Sequence, residues 1–255
     1  MPRIKNANQS AVPDAELFED LVAANRILSL YGILDAFGHV SARIQSEYGG
    51  FLISRSMAPA QVTVSDVVLL DFHSQPVQPT THKLYLERFI HSEIYRSTPA
   101  VHAIVHSHSL GLIPFGVTGT LLRPIFHMGG FLARGAPVFE IQDYGGDGTD
   151  MLIRTPELGA ALASTLRGAP LALMRGHGSV VVGSSIREVV FRSIYADINA
   201  RLQSEAQRLS PNHVRFLTTA EAVNADATNS GVIDRTWDLW RSQALPRRRR
   251  KSVGN

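Results

Sequence analysis

The sequence predicts a single α/β domain. Segments with strand-like runs of apolar residues alternate with helical segments along most of the 255 residues. No internal repeat or long linker divides them, and a hydrophobic content of 44% is enough for one large core. We place this domain at residues 14–245, between an N-terminal arm of residues 1–13 and a C-terminal tail of residues 246–255.

The predicted helices combine apolar residues at helical spacing with residues typical of helix ends. Asp14 is the predicted N-cap of the first helix, and Gly32 follows its end. Pro156 fits the first turn of a later helix, and Ser184 or Ser185 begins the longest one. In chain order, helices are expected at residues 14–31, 84–96, from 109, at 156–167, 184–209 and 233–243, with otherwise less regular structure from residue 211 onward.

The predicted strands are short runs rich in apolar residues and bounded by turn residues. They lie at residues 36–44, 50–54, 66–71, 101–106, 137–141, 170–174 and 179–183. The last two flank a turn, residues 175–178, in which glycines stand on both sides of His177. Glycines at such positions allow the backbone to approach a site closely.

The composition excludes several kinds of site. The chain has no cysteine, so disulfides, thiolate metal ligands and cysteine nucleophiles are excluded, and any metal must be held by nitrogen and oxygen atoms. The first residues lack the apolar segment of a secretory signal, and no apolar run reaches the length of a membrane span. We therefore expect a cytoplasmic protein without a membrane partner.

Residues 247–251 are all basic, in a chain whose formal net charge is only +3. Such a run can bind nucleic acid, but a solvated tail is the simpler interpretation. Elsewhere the basic and acidic residues are roughly balanced, without the alternation of aromatic and basic residues that single-strand binders use. We expect no nucleic-acid partner.

His106 and His108 are the most informative residues of the chain. They follow a short apolar strand at positions i and i+2, so both imidazoles are expected on the same face. Two imidazoles on one face are half of a metal site, and His177 in its glycine-flanked turn is a third candidate ligand. Glu87, taken alone, is an ordinary helical carboxylate. Most of the other histidines are expected to be structural or at the surface.

Taken together, these positions resemble the class II aldolase/adducin family. The shared motifs are Gly-His-Val-Ser-Ala-Arg at residues 38–43, Glu87-x-x-x-His91-x-x-x-Tyr95, His106-x-His108 and His177-Gly178. The resemblance implies a central, mainly antiparallel β-sheet flanked by helices on both faces. It also implies a homotetramer.

By the same resemblance, His106, His108 and His177 are ligands of one divalent metal, and Glu87 is both a ligand of the resting site and the catalytic acid/base. Three neutral imidazoles leave the cation its full charge and open positions for substrate oxygens. Nitrogen and oxygen ligands accept several metals. We favour Mn²⁺, with Zn²⁺ or Fe²⁺ as alternatives.

Three departures separate this sequence from the sugar-phosphate aldolases of the family. His39 replaces an asparagine, and Tyr85 and Leu86 replace two serines that serve the substrate phosphate. The catalytic tyrosine of those aldolases falls on Met128, directly after His127. Because these side chains cannot supply the same hydrogen bonds, a phosphorylated sugar is disfavoured as the substrate.

The segments at residues 85–91, 113–119 and 174–178 are most similar to a branch of decarboxylases that act on hydroxylated aromatic dicarboxylates, such as 3-hydroxy-2-methylpyridine-4,5-dicarboxylate and 3,4-dihydroxyphthalate. In this interpretation the metal chelates a ring hydroxyl and the adjacent carboxylate. Aromatic and apolar side chains would wall the ring, and Arg55 or Arg175, with Ser56 nearby, would hold a second carboxylate. The predicted wall residues are Tyr85, Leu86, Phe89, Phe115 and Phe131.

Several alternatives stay open at this point. The proton that replaces the lost carboxylate could come from Glu87, His39 or His127. The enzyme could instead be an aldolase or epimerase of a non-phosphorylated hydroxy-carbonyl compound, or an Fe(II) oxygenase. A non-catalytic assembly protein of the adducin type is the alternative from a different class.

Overall fold

A computed structural model describes residues 15–44 and 49–245 of the chain. The predicted N-cap Asp14 and the basic run at residues 247–251 lie outside the described residues. The strands are β1 (His39–Arg43), β2 (Phe51–Ser54), β3 (Val67–Leu70), β4 (Ala103–Ser107), β5 (Val138–Phe139), β6 (Leu171–Met174) and β7 (Gly178–Gly183). The α-helices are α1 (Ala15–Leu30), α2 (Phe89–Ser97), α3 (Ile113–Val117), α4 (Gln142–Gly145), α5 (Pro156–Leu166), α6 (Ile186–Leu209), α7 (Thr219–Ser230) and α8 (Ile233–Ala244). The 3₁₀ helices are Pro59–Gln61, Val64–Asp66, Leu86–Arg88 and His127–Leu132.

Within the described residues the strands form one seven-stranded sheet in the order β3-β2-β1-β4-β7-β6-β5. Neighbouring strands are antiparallel throughout, except that β5 and β6 run parallel. The prediction of one domain with a mainly antiparallel sheet is confirmed. Each predicted strand is present, although β5 has only two residues.

The two faces of the sheet pack against different helices, because successive side chains of a strand point to opposite sides. Val40, Val105 and Val181 lie in a core that also contains buried residues of α1, α6 and α8, and we call this side the first face. Ile104 and Val180 lie in a second core with α2 and α5, on the second face. Helices therefore cover both faces, as predicted.

Helix caps explain where two of the helices begin. The side chain of Thr155 accepts a hydrogen bond from the Leu158 N–H, and Pro156 follows in the first turn of α5. Ser185 accepts from the Glu188 N–H at the start of α6. Of the two serines predicted to open this helix, Ser185 is the cap. The described helices include none that is both long enough and apolar enough to cross a membrane.

The prediction of less regular structure after residue 211 is wrong at residues 219–230, which form the helix α7. Thr218 and Glu221 form a capping box at its start, in which each side chain binds the backbone N–H of the other residue. The helix packs on the 3₁₀ helix His127–Leu132 at Gly130, where a Cβ atom would lie 2.5 Å from the Ala222 carbonyl oxygen. Close backbone packing thus stabilises a segment that lacks apolar periodicity.

Two other helices begin later than predicted. The helix expected from residue 109 begins at Ile113, because Asp197 binds the Ser109 hydroxyl and the Gly111 N–H and holds the intervening chain in a turn. The helix expected at residues 84–96 begins as the 3₁₀ turn Leu86–Arg88 and continues as α2. Glu87 lies at the kink between them, with φ of −90° and ψ of 20°.

Candidate metal centre

The end of β4 delivers the two histidines of the His-x-His motif. His106 lies on the second face, in register with His39 of β1 and Val180 of β7. His108 follows the last residue of the strand and is half-buried. Both neighbours of β4 are hydrogen-bonded to it, so the strand is held at the centre of the sheet.

Two glycines allow neighbouring chain segments to approach this strand. A Cβ atom on Gly178 would lie 2.1 Å from the Ser107 carbonyl oxygen, so any other residue at this position would force the backbone to shift. A Cβ atom on Gly38 would lie 2.8 Å from the His106 carbonyl oxygen, and the φ of Gly38 is 83°. The close approach expected of the glycines near His177 is thus present at Gly178.

The fold brings Glu87, His106, His108 and His177 together, and we call these four residues the metal group. One ligand atom from each lies within 4.8 Å of all the others. Glu87 Oε2 is 3.5 Å from His106 Nε2 and 3.6 Å from His177 Nε2. The Nε2 atoms of His108 and His177 are 3.0 Å apart.

Backbone carbonyl groups set the orientation of two of these imidazoles. His106 Nδ1 donates to the Ser179 carbonyl oxygen at 3.1 Å, and His177 Nδ1 donates to the Met151 carbonyl oxygen at 2.8 Å. A proton on Nδ1 leaves Nε2 of each ring as the atom that can bind a metal. His106 Nε2 is buried and has no hydrogen-bond partner among the described residues, which fits a cation as its missing partner.

The charges of the group also suit a divalent cation. Burial lowers the pKa of His177 to about 4 and lowers that of His108, so both rings are neutral ligands at neutral pH. Burial would raise the pKa of Glu87, but His106, His177 and the Ile153 N–H together lower it to about 2. The group therefore offers neutral nitrogens and one carboxylate, a donor set typical of zinc, manganese or iron sites.

His39 and Tyr85 lie beside the metal group. The His39 ring is 5.1 Å from that of His106 and 4.5 Å from that of Tyr85, measured between centroids. The Tyr85 hydroxyl donates to the Met57 carbonyl oxygen at 2.7 Å, and burial raises its pKa. His39 Nδ1 is 2.6 Å from His91 Nε2 in the interior.

The two candidate arginines differ in what already binds them. Arg175 forms a forked pair with Glu140, in which Nη2 lies 2.8 Å from Oε1 and Nε binds Oε2. Arg55 is bound by Asp66 only through Nε, at 2.7 Å, and its Nη atoms have no hydrogen-bond partner in the described part of the chain. Ser56 lies next to it, with its N–H donating to Lys83.

Arg55 lies at the end of β2, the neighbour of the strand that carries His39. Ser41 pairs with Ile53 in the antiparallel β1–β2 ladder, and continuing this register by two residues sets Arg55 opposite His39. His39 in turn lies opposite His106. His39 and His106 are thus paired on neighbouring strands, and Arg55 directly follows the end of β2, the strand on the other side of β1.

Other predicted site residues lie elsewhere. Phe115 is 3% exposed and belongs, with Phe131, to the first-face core, and that these two residues wall the substrate ring stays a prediction. Apolar burial holds both side chains on the opposite side of the sheet from His106. His127 is exposed at the start of a 3₁₀ helix that packs on α6 and α7, also on the first face. Leu86 is exposed and Phe89 is half-buried against the second-face core.

Sequence reasoning missed several residues of this region. Phe37 is 65% exposed, and its ring lies 6.3 Å from that of His108. Its position directly before Gly38 in a shared motif could have drawn attention to it. The Met151 carbonyl and the Ile153 N–H, which bind His177 and Glu87, left no signal because backbone groups are common to all residue types.

Comparisons with known proteins identify relatives of the chain. The sequence profile of the Class II Aldolase and Adducin N-terminal domain matches residues 19–204. The chain is 37% identical over 241 residues to Decarboxylase tropJ of Talaromyces stipitatus, covering 86% of this chain and 90% of that protein. It is 31% identical over 193 residues to a 3,4-dihydroxyphthalate decarboxylase of Terrabacter sp., covering 70% of this chain and 76% of that one.

The solved structures agree at the level of the fold. An aldolase II superfamily protein from Pseudomonas syringae superposes with a TM-score of 0.75 at 21% identity, covering 90% of this chain and 92% of that chain. The family match spans the whole sheet and all four residues of the metal group. The chain therefore belongs to the family of the Class II Aldolase and Adducin N-terminal domain, and the resemblance drawn from its motifs is confirmed.

Proposed function

We propose that this protein is a metal-dependent decarboxylase of an ortho-hydroxylated aromatic dicarboxylate, with a benzene or pyridine ring. The observation that carries the proposal is the metal group, with the imidazole of His39 next to His106 and the ring of Tyr85 next to His39. The decarboxylases to which the chain is similar support the same reaction class. Support for the substrate class comes from the 3,4-dihydroxyphthalate decarboxylase among them.

The metal group supplies the binding site for the reacting end of the substrate. A divalent cation held by His106, His108 and His177 would supply Lewis-acid stabilisation of negative charge on substrate oxygens. We favour Mn²⁺, then Zn²⁺ or Fe²⁺. Glu87 is held in place by the Ile153 N–H at 3.0 Å, so its carboxylate stays directed at the three imidazoles.

Arg55 is the proposed partner of the second carboxylate. Adjacent strands of a sheet are about 4.8 Å apart, so extending the β1–β2 register beyond Ser41 and Ile53 would set Arg55 about two strand spacings from His106. Both arginines are ion-paired, but Asp66 occupies only Nε of Arg55 and leaves its two Nη atoms able to form a forked pair with a carboxylate, whereas Glu140 occupies both Nε and Nη2 of Arg175. This arrangement favours a substrate with a second carboxylate in addition to the chelated atoms.

Decarboxylation breaks the ring carbon–carboxylate bond and releases CO₂, and the electron pair left on that carbon must then take up a proton. Glu87 and His39 are the candidate donors on the second face. His127 is on the first face of the same chain and is the weaker candidate. We also propose a homotetramer, following the family resemblance, which sedimentation velocity would reveal as a species of four times the chain mass.

The test is CO₂ release by full-length protein loaded in turn with Mn²⁺, Zn²⁺ and Fe²⁺, on a panel of ortho-hydroxy aromatic mono- and dicarboxylates. We expect CO₂ release from dicarboxylates, at a much higher rate than from monocarboxylates. Glu87→Gln should release CO₂ from neither class. Glu157→Gln, at an exposed position in the first turn of α5, is the matched control and should keep full activity.

Other results would point to the alternatives. Cleavage of a hydroxy-aldehyde or hydroxy-ketone without any CO₂ release would overturn the decarboxylase in favour of an aldolase. Oxygen uptake in the Fe²⁺ sample would indicate an oxygenase. A correctly folded protein that binds no metal would favour a non-catalytic member of the family.

A further inference from the structure

A buried chain of hydrogen bonds runs from α2 to the edge of the metal group. His39 Nδ1 lies 2.6 Å from His91 Nε2, and His91 Nδ1 lies 2.6 Å from Ser41 Oγ. Ser41 Oγ lies 2.7 Å from the Tyr95 hydroxyl. All four side chains are at most 3% exposed, and we call them the Tyr95 chain.

The Tyr95 chain accounts for a motif that the metal group leaves unused. Glu87, His91 and Tyr95 are four residues apart, which places them along one side of a helix. Glu87 enters the metal group, whereas the other two point at β1, which carries His39 and Ser41.

The hydroxyl protons decide the direction of the chain. Burial raises the pKa of Tyr95, so its phenol keeps its proton. The only acceptor for that proton among the described residues is Ser41 Oγ. A buried hydroxyl without an acceptor is costly, so Tyr95 donates to Ser41, and the Ser41 proton must go to His91 Nδ1.

The same logic continues through the two imidazoles. The gap of 2.6 Å between His91 Nε2 and His39 Nδ1 has room for one hydrogen atom. Because His91 Nδ1 accepts from Ser41, the proton of the His91 ring is on Nε2 and is donated to His39 Nδ1. An imidazole carries at least one ring proton, and Nδ1 of His39 is an acceptor in this pair. The proton of His39 is then on Nε2.

We propose that the Tyr95 chain fixes His39 in the tautomer that carries its proton on Nε2, and that this N–H donates a hydrogen bond to an oxygen atom of the bound substrate. His39 Nε2 has no hydrogen-bond partner among the described residues. It is also not fully buried, so a substrate atom can reach it. It belongs to the ring that lies beside both His106 and Tyr85. His91, Ser41 and Tyr95 are positioning residues, and only the second half of the proposal rests on the proposed function.

The tautomer is tested without any substrate. Long-range ¹H–¹⁵N correlation spectra of full-length protein containing ¹⁵N-histidine, with and without Zn²⁺, report which nitrogen of each ring is protonated, and His39→Gln identifies the signals of His39. We expect protonated Nε2 and unprotonated Nδ1 in the wild-type protein. Protonated Nδ1 would overturn the proposal, whatever the protein catalyses.

Ser41→Ala tests whether the chain sets the tautomer. Without the Ser41 hydroxyl, His91 Nδ1 loses the donor that decides its role, so we expect a mixture of His39 tautomers. Ser193→Ala, which removes an equally buried serine that binds the Val189 carbonyl, is the control and should show the wild-type spectrum. An unchanged His39 tautomer in Ser41→Ala would contradict the mechanism, and the wild-type spectrum stands if this variant does not fold.

Kinetics test the donor role. His39→Leu should lose roughly 10- to 100-fold in kcat/KM, the range expected for a hydrogen bond to a charged group. His39→Asn, which restores an N–H donor, should recover part of that loss. Equal losses in the two variants would overturn the donor role. Absence of CO₂ release even in the wild-type protein would instead refute the proposed function, with the spectra still interpretable.

Discussion

Gly178 shows how strongly single residues constrain the site. It lies directly after His177, and its backbone touches that of Ser107, between His106 and His108. The position of the ligands relative to each other therefore depends on the absence of one Cβ atom.

Replacing this glycine should disturb both the fold and the site. Gly178→Ala forces β7 away from β4, and we expect a loss of about 1–3 kcal/mol in the free energy of unfolding, the usual cost of overpacking. Urea denaturation measures it, with Gly148→Ala as the control, because a Cβ atom there meets nothing within 4 Å. Equal stability of the two variants would show that β7 can move without cost.

The residues of the site were predictable from the sequence to different degrees. The metal group could be found because His106 and His108 alternate along a strand and because the shared motifs include Glu87 and His177. Phe115 could not be placed, since the pattern of an apolar helix does not say which face of the sheet it covers. Arg175 looked equivalent to Arg55 because Glu140, its partner, is 35 residues away in the sequence.

At the scale of secondary-structure elements, α6 anchors the chain that leaves the metal group. Asp197 of α6 accepts from the Ser109 hydroxyl at 2.5 Å and from the Gly111 N–H at 3.0 Å, and it pairs with Arg201. Ser109 follows His108 directly. The first-face helix α6 is thereby connected to a ligand on the second face.

Removing this anchor should destabilise the protein and weaken metal binding together. Asp197→Ala leaves two buried donors unpaired, and we expect a loss of about 2–4 kcal/mol in unfolding free energy. Glu205→Ala, on the same helix and also paired with an arginine, should have no measurable effect, since that pair is exposed. Chemical denaturation measures the stability of both variants, and metal titration measures their affinity for the cation. Unchanged metal affinity in Asp197→Ala would show that Asp197 does not help to position His108.

Some of the secondary-structure elements could be predicted from the sequence and others could not. The strands β1 to β4 were predictable from apolar runs between turns. Helix α7 was not, because its alanine, asparagine and threonine residues show no apolar stripe, and its position depends on Gly130 in a distant segment. The start of α3 was set by Asp197, more than 80 residues later in the chain.

At the scale of the whole molecule, the metal group joins three parts of the chain that are distant in sequence. Glu87 precedes α2, the two histidines of the motif end β4, and His177 lies in the turn between β6 and β7. A cation bound to them is a cross-link that exists only in the folded state, so it must raise stability.

We expect saturating Zn²⁺ or Mn²⁺ to raise the melting temperature. At a metal concentration 100 times Kd the gain is about 2.7 kcal/mol, or about 5–10 °C for a domain of this size. Differential scanning calorimetry measures it. His106→Ala should lose the shift, whereas His73→Ala, at an exposed position, should keep it. A shift of equal size in both variants would place the bound metal elsewhere.

The segment from Met151 to Ile153 carries a consequence for how such enzymes diverge. Its carbonyl and N–H groups orient His177 and Glu87, and Met151 adopts a φ of 70° that few residues with side chains accept. A substitution that relaxes this backbone would rotate His177 and Glu87, the proposed ligand and acid/base, at once, while every side chain of the metal group stayed the same. Two proteins with identical ligands could then differ in reaction rate through the bend of a loop that contributes no side chain to the chemistry.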